Sequence, residues 1–289
     1  MLHVFVGFTY AFLAMVMLPL YTRIIYLFLT KHKYRKFPSY ALMAEIGIAQ
    51  CVMSPAHAFS GLAVALQKDY LNLASFFTKL GGGCRRTEAV LSVALSYDRF
   101  QSICGFKRIP PFITIFSFIA WFLGLSYFAI LCSPYADLKV HPVTYTSAYN
   151  DSLPATVIVE KLGTYSSLTA AAVTFVFYVI IVTRLIQHKL QIRHVQMSFN
   201  EKIILLQAVI RFLGDTSMTL LYHVVPHFVG KSDWMSILTY IGYTLVNITL
   251  PPIFFLVISK NLREDVLSVF RRPYVVSSVT GLVPQGQPR

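Results

Sequence analysis

Six charged side chains interrupt stretches of sequence that are otherwise strongly apolar, and they are the groups best suited to do chemistry inside a membrane. They are Glu45, Arg85, Arg86, Glu88, Arg211 and Asp215. An ionisable group at mid-depth in a bilayer costs at least ~2.5 kcal/mol on insertion scales, so each should face the protein interior and have a partner. The spacing predicts that Arg85 pairs with Glu88 three residues along one helix, and that Arg211 pairs with Asp215 four residues along another.

Arg86 points away from its neighbours on the same predicted helix, so its partner must come from another segment, and Asp215 and Glu45 are the candidates. Two interpretations of this charge network stay open. It is either a self-neutralised structural network, or it holds an inactive arrangement whose change couples a ligand to the far face of the protein.

An acid–base–aromatic triplet, Asp98-Arg99-Phe100, ends the third apolar stretch. Adjacent Asp and Arg side chains near a membrane interface can pair, which holds the Arg against its own helix in one state. Once released, the Arg can reach across a helix bundle or bind a partner peptide. The alternative is an interfacial ion pair whose long side chains only extend toward water.

The catalytic and metal-binding patterns of enzymes do not occur in the sequence. It has no HExxH, GxSxG or P-loop motif and no carboxylate-rich di-metal pattern. His141, His223 and His227 lack the spacing of metal ligands, and the four cysteines contain no CxxC pair. We therefore expect neither an enzyme nor a metal or other cofactor.

The composition places these groups in a membrane. Of the 289 residues, 56% are hydrophobic and only 13% are charged, against roughly 25% charged in an ordinary soluble domain. So few charges cannot cover the surface of a soluble globule, which excludes a soluble enzyme, a disordered chain and a small disulfide scaffold.

Seven apolar segments are long enough, at roughly 20 residues each, to cross a bilayer as helices. The predicted helices cover about 4–29, 40–66, 73–100, 109–131, 156–186, 203–229 and 234–258. Basic residues concentrate in alternate connections, beginning with the linker at 31–36 and ending in the C-terminal tail. The positive-inside rule then puts the N-terminus outside and the C-terminus in the cytoplasm, which requires an odd number of crossings. The net charge of +13 thus faces anionic lipid rather than nucleic acid.

Seven helices with Asp98-Arg99-Phe100 at the end of the third resemble the rhodopsin-like G-protein-coupled receptors. The segment from Pro251-Pro252 to Phe255 is similar to that family's N-P-x-x-Y, with Pro251 in place of the asparagine and Phe255 in place of the tyrosine. The proline would act as a structural kink or as a hinge. The resemblance implies an all-α membrane protein: a seven-helix receptor domain over 1–272 with a short amphipathic eighth helix at about 260–271, then a disordered cytoplasmic tail at 273–289.

The sequence departs from that family at several positions, and these departures indicate a smaller class within it. Cys84 is two turns deeper than the family's cysteine position, which Ala74 occupies, so we expect no disulfide to Cys132. Gln50 stands where the family has an aspartate, so its sodium site is expected to be absent. These features look like the nematode serpentine chemoreceptors, class xa or class t.

That resemblance implies a chemosensory receptor in the plasma membrane, including that of a sensory cilium, which activates a heterotrimeric G protein. Its ligand would be an unknown small molecule or peptide, bound between the outer halves of helices three, five, six and seven. The candidate pocket residues are Phe76, Phe77, Tyr165, Thr169, Tyr222, His223, Tyr240 and Tyr243. Asn150, in the sequon Asn150-Asp-Ser152 of an outer loop, is a candidate for glycosylation.

A multi-pass transporter or channel is the alternative, because intramembrane Arg and Glu residues also mark ion pathways. Such a protein would have broken helices in two similar halves. The sequence has no evident internal repeat, which favours the receptor.

Overall fold

The computed structural model of the chain is almost entirely α-helical. It describes residues 1–106, 110–191, 199–223, 225, 228 and 232–268. The helices are α1 (Leu2–Val16), α2 (Leu18–Thr30), α3 (His32–Arg35), α4 (Pro38–Leu66), α5 (Leu73–Cys104), α6 (Pro110–Leu131), α7 (Pro154–Gln191), α8 (Phe199–His223), α9 (Asp233–Thr244), α10 (Leu250–Ile258) and α11 (Lys260–Leu267). An antiparallel hairpin of β1 (Leu138–His141) and β2 (Thr146–Tyr149) lies between α6 and α7.

Five helical spans within the described residues are long and apolar enough to cross a bilayer, and the chain is therefore a multi-pass integral membrane protein. They are Leu2–Thr30, Pro38–Leu66, Phe112–Leu131, Pro154–Arg184 and Asp233–Val257. Helices α5 and α8 are comparably long, at 32 and 25 residues, but charged side chains lower their hydropathy. The count of seven crossings stays a prediction.

Helix α5 occupies the centre of the bundle, where it packs against α4, α6 and α7. The largest apolar cluster surrounds its second half and joins Phe28 of α2, Ile46 of α4, Leu91 of α5 and Phe255 of α10. Because lipid chains are as apolar as these residues, their close packing rather than escape from water holds the helices together.

Glycines allow the closest helix contacts. A methyl group built on Gly83 of α5 would lie 2.6 Å from the carbonyl oxygen of Gly124 of α6 and 3.1 Å from Phe128 Cβ. One built on the neighbouring Gly82 would meet its nearest atom, Tyr127 Cε1, at an ordinary 3.4 Å. Of the three consecutive glycines, Gly83 is thus the one that lets two backbones touch.

Two predicted helices are interrupted, and proline is the cause in both. The helix expected over 4–29 breaks at Met17, because Pro19 has no amide to donate to the carbonyl four residues back. The helix expected over 234–258 contains a π-helical segment, Leu245–Thr249, just before Pro251 and Pro252. There the Leu250 amide donates to the Leu245 carbonyl, five residues back.

Other boundaries differ modestly from the predictions. Helix α7 is longer than expected at both ends, and α4 and α5 each extend beyond one predicted end. Helix α11 ends at Leu267 rather than near 271, and the predicted tail at 273–289 lies outside the described residues. The predicted end of the sixth helix, at 229, also lies outside them.

The two ends of the bundle differ in their attachments. At one, which we call the hairpin end, the Val140 amide of β1 donates to Ser75 Oγ near the start of α5, at 3.1 Å. At the other, which we call the α11 end, Asp265 of α11 binds Lys33 Nζ at 2.6 Å and accepts a hydrogen bond from Tyr34 Oη at 2.8 Å.

The contact between Gly83 and Gly124 predicts a position-specific effect of adding one methyl group. Gly83→Ala should destabilise the protein by about 1–3 kcal/mol, because the neighbouring backbone must move. Gly82→Ala is the matched control and should have little effect. Thermal unfolding of the purified proteins in detergent measures both, and equal melting temperatures for the two variants would contradict the contact.

Candidate functional site

The Asp98-Arg99 pair lies near the α11 end of α5 and is almost fully buried, with Asp98 1% and Arg99 4% exposed. The Asp98 carboxylate accepts a hydrogen bond from Arg99 Nη2 at 3.0 Å. It accepts another from Ser39 Oγ in the first turn of α4. One carboxylate therefore holds Arg99 against its own helix and ties α5 to α4.

Phe100, the third member of the triplet, packs among aromatic rings. Its ring centroid lies 5.6 Å from that of Phe177 of α7 and 5.5 Å from that of Phe106. It connects this end of α5 to α7.

A chain of polar side chains crosses three helices in the middle of the bundle. Tyr21 Oη of α2 donates to Gln50 Oε1 of α4 at 2.5 Å, and Gln50 Nε2 donates to Glu88 Oε1 of α5 at 2.6 Å. All three are buried, at 2%, 0% and 5% exposure. Inside a bilayer such groups must be satisfied by the protein, so the chain fixes the mutual rotation of these helices.

The predicted ion pair between Arg85 and Glu88 does not form in the described structure. Glu88 is held by Gln50 on the α4 side, whereas the Arg85 guanidinium carbon lies 3.9 Å from the ring centroid of Tyr243 on α9. Among the described residues Arg85 has no carboxylate partner. A partner from another helix thus takes the place of the pairing that the spacing favoured.

Arg86 also differs from the prediction, because neither Asp215 nor Glu45 pairs with it in the described residues. Arg86 Nη1 donates to Ser167 Oγ of α7, and its guanidinium carbon lies 5.0 Å from the Tyr127 ring centroid of α6.

The remaining members of the predicted charge network lie on other helices. Glu45 Oε1 accepts a hydrogen bond from Ser117 Oγ of α6 at 3.0 Å. The Arg211 side chain is outside the described part of the chain, so its pairing with Asp215 stays a prediction.

A cavity of about 90 Å³ lies between α5, α7, α8 and α9. Its polar lining includes Arg85, Glu88 and Ser92 from α5 and Asp215 and Thr216 from α8, together with Ser167, Thr174, Thr219, Tyr243 and Asn247. Cavities of this kind, enclosed by helices and lined by apolar surface with a few polar groups, are where bundles hold small ligands.

Of the six predicted pocket residues whose side chains the structure describes, Tyr243 is the one that lines this cavity. On α5 the cavity begins at Arg85, nine residues beyond Phe76, which is roughly 13 Å deeper along a helix.

Five other predicted pocket residues lie outside the lining of this cavity. Phe76 and Phe77 contact Phe128 and Phe59, and Tyr240 packs between Tyr10 and His57. Tyr165 and Thr169 are exposed on α7, and the side chains of Tyr222 and His223 are outside the described residues. Their role in binding stays a prediction.

The segment around Pro251 and Pro252 contacts the core at the α11 end. Both prolines are buried, and Phe255 is 8% exposed with its ring 5.0 Å from that of Phe28 on α2. The π-helical turn before them accommodates the missing proline amides, so the irregular backbone lies where a hinge was predicted.

Cys84 and Cys132 are free thiols, so no disulfide joins them. The hairpin is attached to α5 by polar contacts instead. Lys79 Nζ lies 2.6 Å from Asp137 Oδ1, and both side chains are 18% exposed. Lys139 Nζ lies 3.4 Å from Asp137 Oδ2 and is 55% exposed. Burial raises the pKa of Asp137, but the hydrogen bonds and charges of Lys79 and then Lys139 outweigh it, so this pKa falls below its ordinary 3.8.

The fold is that of a rhodopsin-like helical membrane protein. Among solved structures 145 chains match it. One is the crystal structure of squid rhodopsin, with a TM-score of 0.70 and 11% sequence identity, over 93% of this chain and 85% of that chain. No family model and no curated protein matches the sequence. The resemblance to the rhodopsin-like fold is confirmed, while the nematode class stays a prediction.

Sequence analysis missed four polar residues that the structure brings into the site: Tyr21, Ser39, Gln50 and Asn247. A lone tyrosine, serine or glutamine in an apolar helix carries no local signal of its partner. Gln50 stands out in the sequence only as a replacement for the family's aspartate. A count of every polar residue within the predicted apolar segments finds Tyr21, Gln50 and Asn247, whereas Ser39 lies just before the segment 40–66.

The lowered pKa of Asp137 predicts how the hairpin attachment responds to mutation and pH. At pH 7, Lys79→Met should lower the melting temperature by about 3–8 °C, and Lys139→Met by about 1 °C or less because that pair is more exposed. The ion pair stabilises the fold above pH 3.8 and is lost as the pH falls through the lowered pKa of Asp137.

The difference in melting temperature between Lys79→Met and the unmutated protein should therefore be smaller near pH 3 than at pH 7. Thermal unfolding at both pH values measures it. A Lys139→Met effect larger than that of Lys79→Met would show that the attachment is assigned to the wrong lysine.

Proposed function

We propose that this protein is a seven-crossing G-protein-coupled receptor that converts ligand binding into G-protein activation. One observation carries the proposal: a buried Asp98-Arg99 pair, tied by Ser39 to α4, lies at the end of α5 opposite the hairpin. In a bundle with the rhodopsin fold, that arrangement suits a switch that hides Arg99 until the helices move.

The proposed mechanism is a shift between two states of the bundle. Ligand in the cavity between α5, α7, α8 and α9 would favour the state in which Asp98 releases Arg99 and the α11 end opens to a helix of a heterotrimeric G protein. The π-helical turn before Pro251 and Pro252 supports a hinge there, because its hydrogen bonds already depart from the α-helical pattern. Phe255 would then leave its contact with Phe28, and Phe100 would leave its contact with Phe177.

The proposed orientation has the N-terminus outside and the C-terminus in the cytoplasm of the plasma membrane, including that of a sensory cilium. The basic linker at 31–36 supports this orientation. Lys33 in the linker pairs with Asp265 of α11, so the linker and α11 lie at the same end of the bundle, which would face the cytoplasm. The hairpin and Asn150 would then be extracellular, and α11 would lie against anionic lipid.

We further propose a chemosensory role, within the nematode serpentine class xa or class t, for a small-molecule or peptide ligand. The departures from the wider family at Ala74, Gln50 and Pro251 support this assignment. The proposal includes no enzymatic step and no cofactor.

Ser39→Ala tests the switch. Losing a hydrogen bond to a charged group shifts an equilibrium by about tenfold, so basal nucleotide exchange on a panel of G proteins should rise by about that factor. Ser96→Ala is the matched control, because this buried hydroxyl donates to the Val93 carbonyl of its own helix. Arg99→Gln should abolish exchange per folded receptor, and the folded amount is measured in parallel because breaking a buried ion pair also destabilises the fold.

Unchanged basal exchange in Ser39→Ala, together with full exchange in Arg99→Gln, would reject the receptor mechanism. Proteoliposomes measured in parallel for ion or solute flux distinguish the alternative, since a transporter or channel would give flux without nucleotide exchange.

Glycosylation of Asn150 tests the orientation. Its Oδ1 accepts hydrogen bonds from Ser152 N at 3.3 Å and Ser152 Oγ at 2.6 Å, so both sequon ends lie together near the hairpin. In eukaryotic cells, Asn150→Gln and Ser152→Ala should both remove a glycosidase-sensitive mobility shift. Asn247→Gln, at a second sequon (Asn247-Ile-Thr249) that is buried in the bundle, should keep that shift. The same shift remaining in Asn150→Gln, or no shift in the unmutated chain, would contradict an extracellular Asn150.

A further inference from the structure

The cavity between α5, α7, α8 and α9 has a volume of about 90 Å³. It has room for several water-sized groups. We therefore expect a small ligand.

The cavity contains a basic group near the hairpin side. Arg85 is half-buried there, its guanidinium stacks on the Tyr243 ring, and among the described residues no carboxylate pairs with it. The planar guanidinium presents two parallel N–H groups and is suited to bind a carboxylate through both oxygens. Arg86, the adjacent residue, does not line the cavity and binds Ser167 instead.

The deeper part of the cavity has the opposite character. Asn247 lies one turn beyond Tyr243, roughly 6 Å further along the helix, is 2% exposed, and its Oδ1 has no hydrogen-bond partner among the described residues. Thr216 Oγ1 likewise has none within that part of the chain. Glu88 and Asp215 line the same cavity, and a carboxylate can accept from a cationic donor in addition to the partners that it already has.

We propose that this cavity binds a small amino carboxylate, a zwitterion. The carboxylate binds Arg85, and the ammonium group points toward Asn247 Oδ1 and the acidic side chains. A simple carboxylate would leave Asn247 Oδ1 without a donor, whereas a simple amine would leave Arg85 without an anion. As the ligand of the receptor this deepens the proposed function and rests on it.

The test measures binding to the purified, full-length receptor in detergent, without a G protein. The probes are small α- and ω-amino acids, their primary amides, and the corresponding amines and carboxylic acids. At 100 times its Kd, a binding amino acid should raise the melting temperature by roughly 5 °C or more. The matched amide, amine and carboxylic acid should not.

Variants then identify the anchor. Arg85→Gln should weaken binding about tenfold to a hundredfold, because a charge-assisted bidentate contact is lost. The affinity of Arg85→Lys should lie between those of Arg85→Gln and the unmutated protein. Lys139→Gln is the control, because it removes an exposed cation that does not line the cavity, and it should bind as the unmutated protein does.

A shift by amines regardless of the carboxylate, a shift by simple carboxylic acids, or no shift across the whole panel would overturn the proposal. The comparison among ligands uses the unmutated chain and decides the matter even if the Arg85 variants fail to fold. Binding without nucleotide exchange would support the ligand class and reject the receptor mechanism. Raised basal exchange in Ser39→Ala with no binding by any probe would support the receptor mechanism and reject the ligand class.

Discussion

Lipid offers no hydrogen-bond partners, and that constraint on α5 organises the whole bundle. This helix carries Arg85, Arg86 and Glu88 within one turn, and the cost of burying them is offset only when other helices supply polar groups. The groups come from three directions: Gln50 of α4, Ser167 of α7 and the ring of Tyr243 on α9. Helix α5 must therefore be central and fixed in both rotation and depth.

The same constraint divides the bundle into a tightly joined part and a looser one. Helices α4 and α5 are linked in the middle by Gln50 and Glu88 and at the α11 end by Ser39 and Asp98, while Gly83 joins α5 to α6. On the other side, the cavity separates α5 from parts of α7, α8 and α9. On that side the contacts of Arg85 with Tyr243 and of Arg86 with Ser167 join α5 to α9 and α7, and a helix movement there has to exchange them.

Much of the helix layout could be predicted because apolar length and proline positions act locally. The partners of the buried charges could not be predicted, because they depend on how each helix is rotated about its axis. Spacing along α5 favours Arg85 with Glu88, yet Gln50 of α4 lies closer to the Glu88 oxygen in the folded bundle. The cavity was also expected too near the hairpin end: aromatic residues suggested it there, whereas small residues such as Ala170 and Ala171 leave the space deeper in the bundle.

The attachment of the hairpin through Lys79 and Asp137 has a consequence for where and how the protein can fold. A covalent link between sulfur atoms requires an oxidising compartment and, once made, opens only by reduction. An ion pair forms as soon as its two groups meet, opens reversibly and is indifferent to thiols. The loop over this end of the bundle can thus be assembled without oxidative folding and can detach and return within the lifetime of a single folded molecule.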